Sequence, residues 1–493
     1  MTIQVLGSAS SIAPAPVERP PEVLWSPFDL VTALNARVTN ALPDRVTGVS
    51  IDTRTLAPGD LFFAIRGENS DGHAFVQQAL AKGAAAAVID EAHAASFVND
   101  GPLYVVRDVL EALRGLGAAA RARTRASVIA VTGSVGKTST KEALRLALAR
   151  QGRVHASVAS YNNHWGVPLS LARMPRRTQF GIFEIGMNAP NEIAPLSRLV
   201  RPHVAIVTTV GQVHLEYFPS VAAIADAKGE IFSGLEPGGT AVLNRDNDQF
   251  ERLKAHVLAS GAGRIVTFGE DESADVRALK IVLKPEFSVV EAQVFGAPVV
   301  YRVGSPGRHI ALNSLAVLAS VHAVGGDLAL AALALADLAP PVGRGERIRL
   351  NAPGGEFLLI DESYNANPTS VTAALNTLGQ SNVGLRGRRI AVLADMLELG
   401  SDSDVLHASL NVPIVDNDVD LVFAAGAGMH HLWHTLAPQV RGAYAETAQG
   451  LEESVLRTVR AGDVVMVKGS NGTKVSRIVT AFKSRFRAVG AGG

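Results

Sequence analysis

Thr132-Gly133-Ser134-Val135-Gly136-Lys137-Thr138-Ser139 stands between an apolar run, Val128 to Val131, and a helix-period segment, Thr138 to Arg150. Strand, glycine-rich turn and helix in that order make an anion cradle. Backbone N–H groups of the turn and the positive end of the helix converge on phosphate, and the Lys137 ammonium neutralises it. The Thr138 hydroxyl can reach a magnesium ion. The usual loop has four residues between its first glycine and the Gly-Lys pair, whereas Gly133 and Gly136 enclose only two. The stretch predicts a polyphosphate site at the carboxyl end of a strand, and with it an α/β sheet. A glycine turn that simply starts a helix is the other reading of the same residues.

Working outward, 493 residues suggest about three domains. Lys+Arg and Asp+Glu balance at 46 each, so no whole-chain field draws the protein to nucleic acid or to a membrane. An anionic ligand must be held locally. The absence of cysteine excludes disulfides, thiolate metal sites and cysteine nucleophiles. Leu328 to Ala339 is interrupted by Asp337, and no apolar run reaches the length of a membrane span. Residues 1–22 lack the charge and apolar core of a secretory signal and read as a flexible tail. A cytoplasmic monomer is expected.

After the tail, residues 23–115 hold short strand-like runs, Leu61 to Ile65, Ala86 to Ile89 and Tyr104 to Val106. From 116 to 338, β-like runs (Phe180 to Ile185, Val204 to Val210, Thr240 to Leu243, Arg264 to Phe268) alternate with helical segments. That is the pattern of a mostly parallel sheet covered on both faces. Residues 339–345 read as a linker. Beyond it, through 493, Phe357 to Ile360, Arg389 to Leu393, Leu421 to Ala424 and Val464 to Val467 read as a second open sheet. The fold class is α/β in three domains: a small α/β substrate domain, a central P-loop sheet and a C-terminal Rossmann-like open sheet.

Several polar residues follow these strands, where ligands of open sheets bind. Glu184 ends an apolar strand and needs a partner; a magnesium ion would be one, and capping a turn is the alternative. His214 follows Val204 to Val210 and, taken alone, is as compatible with a structural role. Lys228 lies in a helical segment, Ala222 to Leu235, and by itself reads as an exposed helix residue. Tyr161-Asn162-Asn163-His164 suits substrate hydrogen bonds or a tight loop. Asp361 could meet ribose hydroxyls or cap a turn. Gly426-Ala427-Gly428 lacks the third glycine of a dinucleotide fingerprint, and His430, His431 and His434 have no metal-site spacing.

Taken together, the motifs resemble the Mur ligases, ATP-dependent enzymes that extend the peptide of bacterial cell-wall precursors. The short-spaced loop, Asn162-Asn163-His164-Trp165-Gly166-Val167-Pro168-Leu169, Ala227-Lys228-Gly229-Glu230-Ile231-Phe232, Tyr364-Asn365-Ala366-Asn367-Pro368, Ala394-Asp395-Met396-Leu397-Glu398-Leu399-Gly400 and Val467-Lys468-Gly469-Ser470 carry the resemblance. It covers nearly the whole chain after the tail.

The resemblance implies ATP and two Mg²⁺ ions. It implies Gly133, Ser134, Val135, Gly136, Lys137, Thr138 and Ser139 around the phosphates, Asn313 facing adenine, and Arg344 and Asp361 on the nucleotide. By the same likeness Thr138, Glu184 and His214 are metal ligands, and Lys228 carries a CO₂-derived carbamate that serves as another. Lys137, Glu184, His214 and Lys228 are the implied catalytic set. Thr53 and Arg54 match the segment that holds a UDP-sugar, and Asn162, Asn163, Tyr364, Asn365, Asn367 and Ser470 match substrate contacts. The implied substrates are UDP-N-acetylmuramoyl-tripeptide and D-alanyl-D-alanine, joined through an acyl phosphate. Another amino acid ligase of Mur or folylpolyglutamate type, and a P-loop phosphotransferase, remain the alternatives.

Overall fold

The computed structural model describes residues 22–67, 70–158, 160–213 and 215–489. The expected tail falls outside them up to position 21. The chain divides into two compact units, Met1–Ala112 and Leu113–Gly493. In the first, β1 (Arg37–Thr39), β2 (Gly48–Ser50), β3 (Asp60–Phe63), β4 (Ala86–Asp90) and β5 (Leu103–Val106) form a sheet ordered β1-β5-β4-β3-β2. Only β1 runs antiparallel to its neighbour. Runs of apolar residues buried on both sides, Ala86 to Ile89 and Leu103 to Val106, are what a parallel sheet requires.

The second unit holds two further sheets. One contains β6 (Ser127–Thr132), β7 (Val154–Ala156), β8 (Phe180–Glu184), β9 (Val204–Val207), β10 (Thr240–Asn244), β11 (Arg264–Gly269), β12 (Val276–Leu283), β13 (Ser288–Val294) and β14 (Ala297–Val303), in the order β14-β13-β12-β11-β10-β9-β6-β8-β7. Strands β6 to β12 pair in parallel, while β12, β13 and β14 form an antiparallel meander. The other contains β15 (Glu346–Ala352), β16 (Gly355–Glu362), β17 (Arg389–Ala394), β18 (Leu421–Ala425), β19 (Arg441–Ala445) and β20 (Val464–Lys468), ordered β15-β16-β20-β17-β18-β19. It is parallel except for the β15–β16 hairpin.

Alternate residues of each central strand feed opposite layers of core. Ile129 and Val131 pack with Leu144 and Leu148 of the helix Lys137–Ala149 and with Leu315 of the helix Arg308–Ala323. Val128 and Ala130 pack on the other face with Phe183, Phe232 and Leu253. The helix after the glycine turn is therefore anchored through its apolar stripe, and its amino end is fixed at the carboxyl edge of the sheet. The last sheet repeats the arrangement, with Ile390 and Val392 on one face and Ala391 and Leu393 on the other.

The three-sheet α/β architecture matches the expectation, with differences in detail. The strand expected over Val204 to Val210 ends at Val207, because the residues after it leave the ladder to bind the glycine turn. The helix expected over Ala222 to Leu235 is an α-helix only over Val221–Gly229 and tightens to a 3₁₀ turn over Glu230–Gly234. The meander was not anticipated. Among the described residues no helix is long and apolar enough to cross a membrane.

Candidate active site

The glycine turn between β6 and the helix Lys137–Ala149 has a backbone only glycine tolerates in two places. Gly133 has φ +149° and Gly136 has φ +84°, and a Cβ at either would strike the Thr208 hydroxyl or the Asn313 amide nitrogen respectively. Two glycines here are thus a matter of space as well as of dihedral angle. The turn is strapped to the segment after β9. Thr208 Oγ1 donates to Val135 O at 2.6 Å, Ser134 N to Thr209 O at 2.8 Å, and Gly211 N to Ser134 Oγ at 2.9 Å. Lys137 folds over the loop, its Nζ donating to Gly133 O at 2.7 Å, and Ser139 Oγ donates to Gly136 O at 3.1 Å.

Behind the loop, Thr138 Oγ1 donates to Glu184 Oε2 at 2.9 Å and Asn162 Nδ2 donates to Glu184 Oε1 at 2.8 Å. Glu184 is fully buried, and no described ammonium or guanidinium lies within ion-pairing distance of it. A buried carboxylate supported by two neutral donors is an unfinished electrostatic arrangement. A hard divalent cation fits it, since carboxylate and hydroxyl oxygens are the ligands such ions take. His214 lies outside the described residues.

Lys228 is 2% exposed, and among the described residues its ammonium has neither a hydrogen-bond partner nor an anion. Burial drives its pKa well below the ordinary lysine value, and the Lys137 charge adds to the fall. Burial also lowers the pKa of Lys137; Glu184 opposes that shift and Arg344 reinforces it. Two lysines sharing a buried site with one carboxylate make a region hungry for negative charge.

Other expected residues converge from the neighbouring elements. Asn313, on the helix Arg308–Ala323, sets its amide against Gly136. Arg344 donates to Ser160 Oγ at 3.2 Å and lies over the Tyr364 ring at 4.0 Å. Gly345 N donates to Asp361 O at 2.8 Å, which joins the segment carrying Arg344 to β16. Asp361 accepts from Ser363 N at 3.0 Å and Ser363 Oγ at 2.6 Å, so one of its oxygens caps the turn after β16.

Three family models match the chain: "Mur ligase family, catalytic domain" over residues 45–108, "Mur ligase middle domain" over 131–321 and "Mur ligase, glutamate ligase domain" over 343–471. A UDP-N-acetylmuramoyl-tripeptide–D-alanyl-D-alanine ligase of Rickettsia prowazekii is 30% identical over 94% of this chain and 100% of its own length. The chain belongs to the Mur ligase family. The crystal structure of MurF from Acinetobacter baumannii, 28% identical, superposes with a TM-score of 0.81 over 95% of this chain and all of that one. MurF from Thermotoga maritima, solved in complex with ADP, is 25% identical with a TM-score of 0.72, over 89% and 97% of the two chains. This Mur ligase is thus an ATP-dependent enzyme that forms a carbon–nitrogen bond.

The remaining expected residues of this Mur ligase are held more locally. Asn163 Oδ1 accepts from Gly166 N at 2.9 Å and starts the helix Gly166–Ala172. Asn367 caps the helix Pro368–Gly379 in a reciprocal box with Ser370, which engages its side-chain oxygen. Tyr364 is exposed, and Asn365 O accepts from Lys468 Nζ at 3.0 Å. Ser470 Oγ donates to Ala366 O at 3.2 Å and accepts from Leu397 N at 2.9 Å. Thr53 and Arg54 belong to the first unit, where Thr53 Oγ1 donates to Gln78 Oε1 at 3.0 Å and Arg54 pairs with Asp52 at 2.6 Å.

The sequence reading assigned no role to three supporting residues. Thr208 holds the glycine turn. Lys468, buried at the end of β20, pairs with Glu362 at 3.3 Å across the strand ends. Glu230 accepts from Asn191 N at 2.7 Å, Ala194 N at 3.0 Å and Ile193 N at 3.1 Å, so it caps the helix Ile193–Val200. Each had a visible signal, a polar side chain closing a strand or following Lys228, yet only the partners reveal its purpose.

Proposed function

We propose that the chain joins D-alanyl-D-alanine to the terminal carboxylate of UDP-N-acetylmuramoyl-tripeptide, through an acyl phosphate, in the cytoplasm. The observation that carries the reading is the group of half-buried Lys137 with buried Thr138, Glu184 and Lys228 behind a phosphate loop, in a chain similar to tripeptide–D-alanyl-D-alanine ligases over nearly its full length. Residues 23–115 would hold the UDP-sugar, 116–338 the ATP, and 339–493 the incoming amine.

The first step brings a carboxylate to the γ-phosphate of ATP, so two anions must meet. The loop amides and Lys137 hold the polyphosphate and offset its charge. Asn313 would meet the adenine edge, and Arg344 and Asp361 the rest of the nucleotide. Thr138 and Glu184 are the proposed ligands of one Mg²⁺, and His214 with carbamylated Lys228 those of a second. When bound, the ions withdraw charge from the phosphate oxygens in the transition state. Lys228 as an ammonium would repel a cation, but its buried setting favours the neutral amine, and a neutral amine combines with CO₂ to give a carbamate and a proton. The amine of the dipeptide then attacks the acyl carbon, and the tetrahedral adduct expels phosphate. Tyr364, Asn365, Asn367 and Ser470 line the strand ends of the third sheet from which that amine would arrive.

Coupled ADP release tests the reading. With purified UDP-muramyl-tripeptide, ADP should appear only when D-alanyl-D-alanine is added. Equal release without the dipeptide would identify a phosphotransferase or hydrolase, and preference for a single amino acid would identify a different ligase.

A further inference from the structure

The central sheet carries a charged cavity at the end away from the glycine turn. Between Glu111 and Glu184 the sequence holds one carboxylate, Glu142, and twelve Lys or Arg side chains, although charges balance over the whole chain. Some of the twelve are already engaged. Lys137 covers the loop, Arg121 donates to Val200 O and Arg201 O at 2.8 Å, and Arg145 and Arg150 pair with Glu142 and Asp337 at 2.7 Å.

Four others surround a cavity of 560 Å³: Arg123, Arg125, Arg176 and Arg177, joined there by the hydroxyl residues Ser127 and Thr178. Arg123 and Arg125 lie between the helix Val109–Ala122 and β6, and Arg176 and Arg177 lie in the turn leading into β8. The backbone there is firmly held. Arg123 donates to Met174 O at 3.2 Å and Ser127 N to Gln179 O at 2.9 Å. Arg153 donates to Arg177 O at 2.8 Å and brings a fifth guanidinium to the border. Ser127 opens β6, whose six residues separate it from the glycine turn by about 20 Å. This is not an extension of the ATP site.

No carboxylate lines the cavity, and Arg125, Arg176 and Arg177 make no ion pair among the described residues. Arg125, Arg176 and Arg177 are exposed, so solvent screens part of their mutual repulsion, but the positive potential of the gathered guanidinium groups has no counter-charge in the lining. A phosphate group removes that repulsion and matches their planar fork with paired N–H···O bonds. A concave site of this volume suits a small ligand. We propose that this cavity binds a phosphate-bearing small molecule, free or as a lipid headgroup, at a site distinct from that of the nucleotide.

The test titrates inorganic pyrophosphate into full-length protein saturated with ADP, comparing the wild type with the triple variant R125Q/R176Q/R177Q by calorimetry. A parallel arm measures cosedimentation with phosphatidic acid/phosphatidylcholine vesicles. Binding in either arm should weaken roughly tenfold or more in the triple variant, while its circular dichroism, ADP affinity and ligase turnover stay unchanged. Pyrophosphate binding without sedimentation assigns a free phosphate compound, and sedimentation without pyrophosphate binding assigns a lipid headgroup. No binding in either arm, or binding that the triple variant retains, overturns the proposal.

Discussion

Lys137 and Lys228 lie within one another's electrostatic reach, and each loses basicity through burial. Their expected contributions differ. Lys137→Ala removes the loop's only side-chain cation, and turnover should fall roughly 10²–10³-fold with thermal unfolding nearly unchanged; steady-state ADP release and a melting curve check both. Lys228 carries a folding penalty when protonated. Its folded pKa is depressed, so between that value and the unfolded value of about 10.4 the unfolded chain binds the extra proton, and stability rises with pH. In CO₂-free buffer Lys228→Met should therefore stabilise the fold most near neutrality, and the gain should shrink towards pH ~10. Melting temperatures across that range test the sign. The Lys228 environment was not legible in the sequence, because a lysine in a helical segment shows neither its burial nor which charges surround it. Lys137 was legible because its neighbours in sequence are also its neighbours in space.

At the scale of elements, one carboxylate connects the Lys228 helix to the strand-end loop. Glu230 follows that helix and caps Asn191, Ile193 and Ala194, in the segment that continues from Glu184. Glu230→Ala leaves three N–H groups without their acceptor and should cost about 1–3 kcal/mol, read as a lower melting temperature. Glu230→Gln, which keeps an acceptor oxygen, should recover part of it. Central strands such as β6, β8, β17 and β20 were readable because burial on both faces demands unbroken apolar runs. The meander β12–β14 was not. Only β13 alternates regularly, β12 and β14 are largely half-buried or exposed, and polar positions such as Lys280, Glu291 and Arg302 interrupt any apolar run.

For the whole molecule, the proposed ATP-site residues that the structure describes all fall in the unit Leu113–Gly493. A fragment starting just before the helix Val109–Ala122, at residue 107, should bind ADP within about threefold of the full chain while losing ligation, because Thr53 and Arg54 are then absent. Calorimetry and the ADP-release assay check the two halves of that expectation. The sequence by itself determined the α/β class, the phosphate loop and the family, since these rest on contiguous residues whose spacing is set by one strand, one turn and one helix. Only the tertiary structure decided that Glu184 is buried with neutral donors, that Lys228 has no anion beside it among the described residues, and that four arginines from separate segments share one cavity. Burial and charge pairing are properties of neighbours in space, and folding brings together residues that the chain keeps far apart.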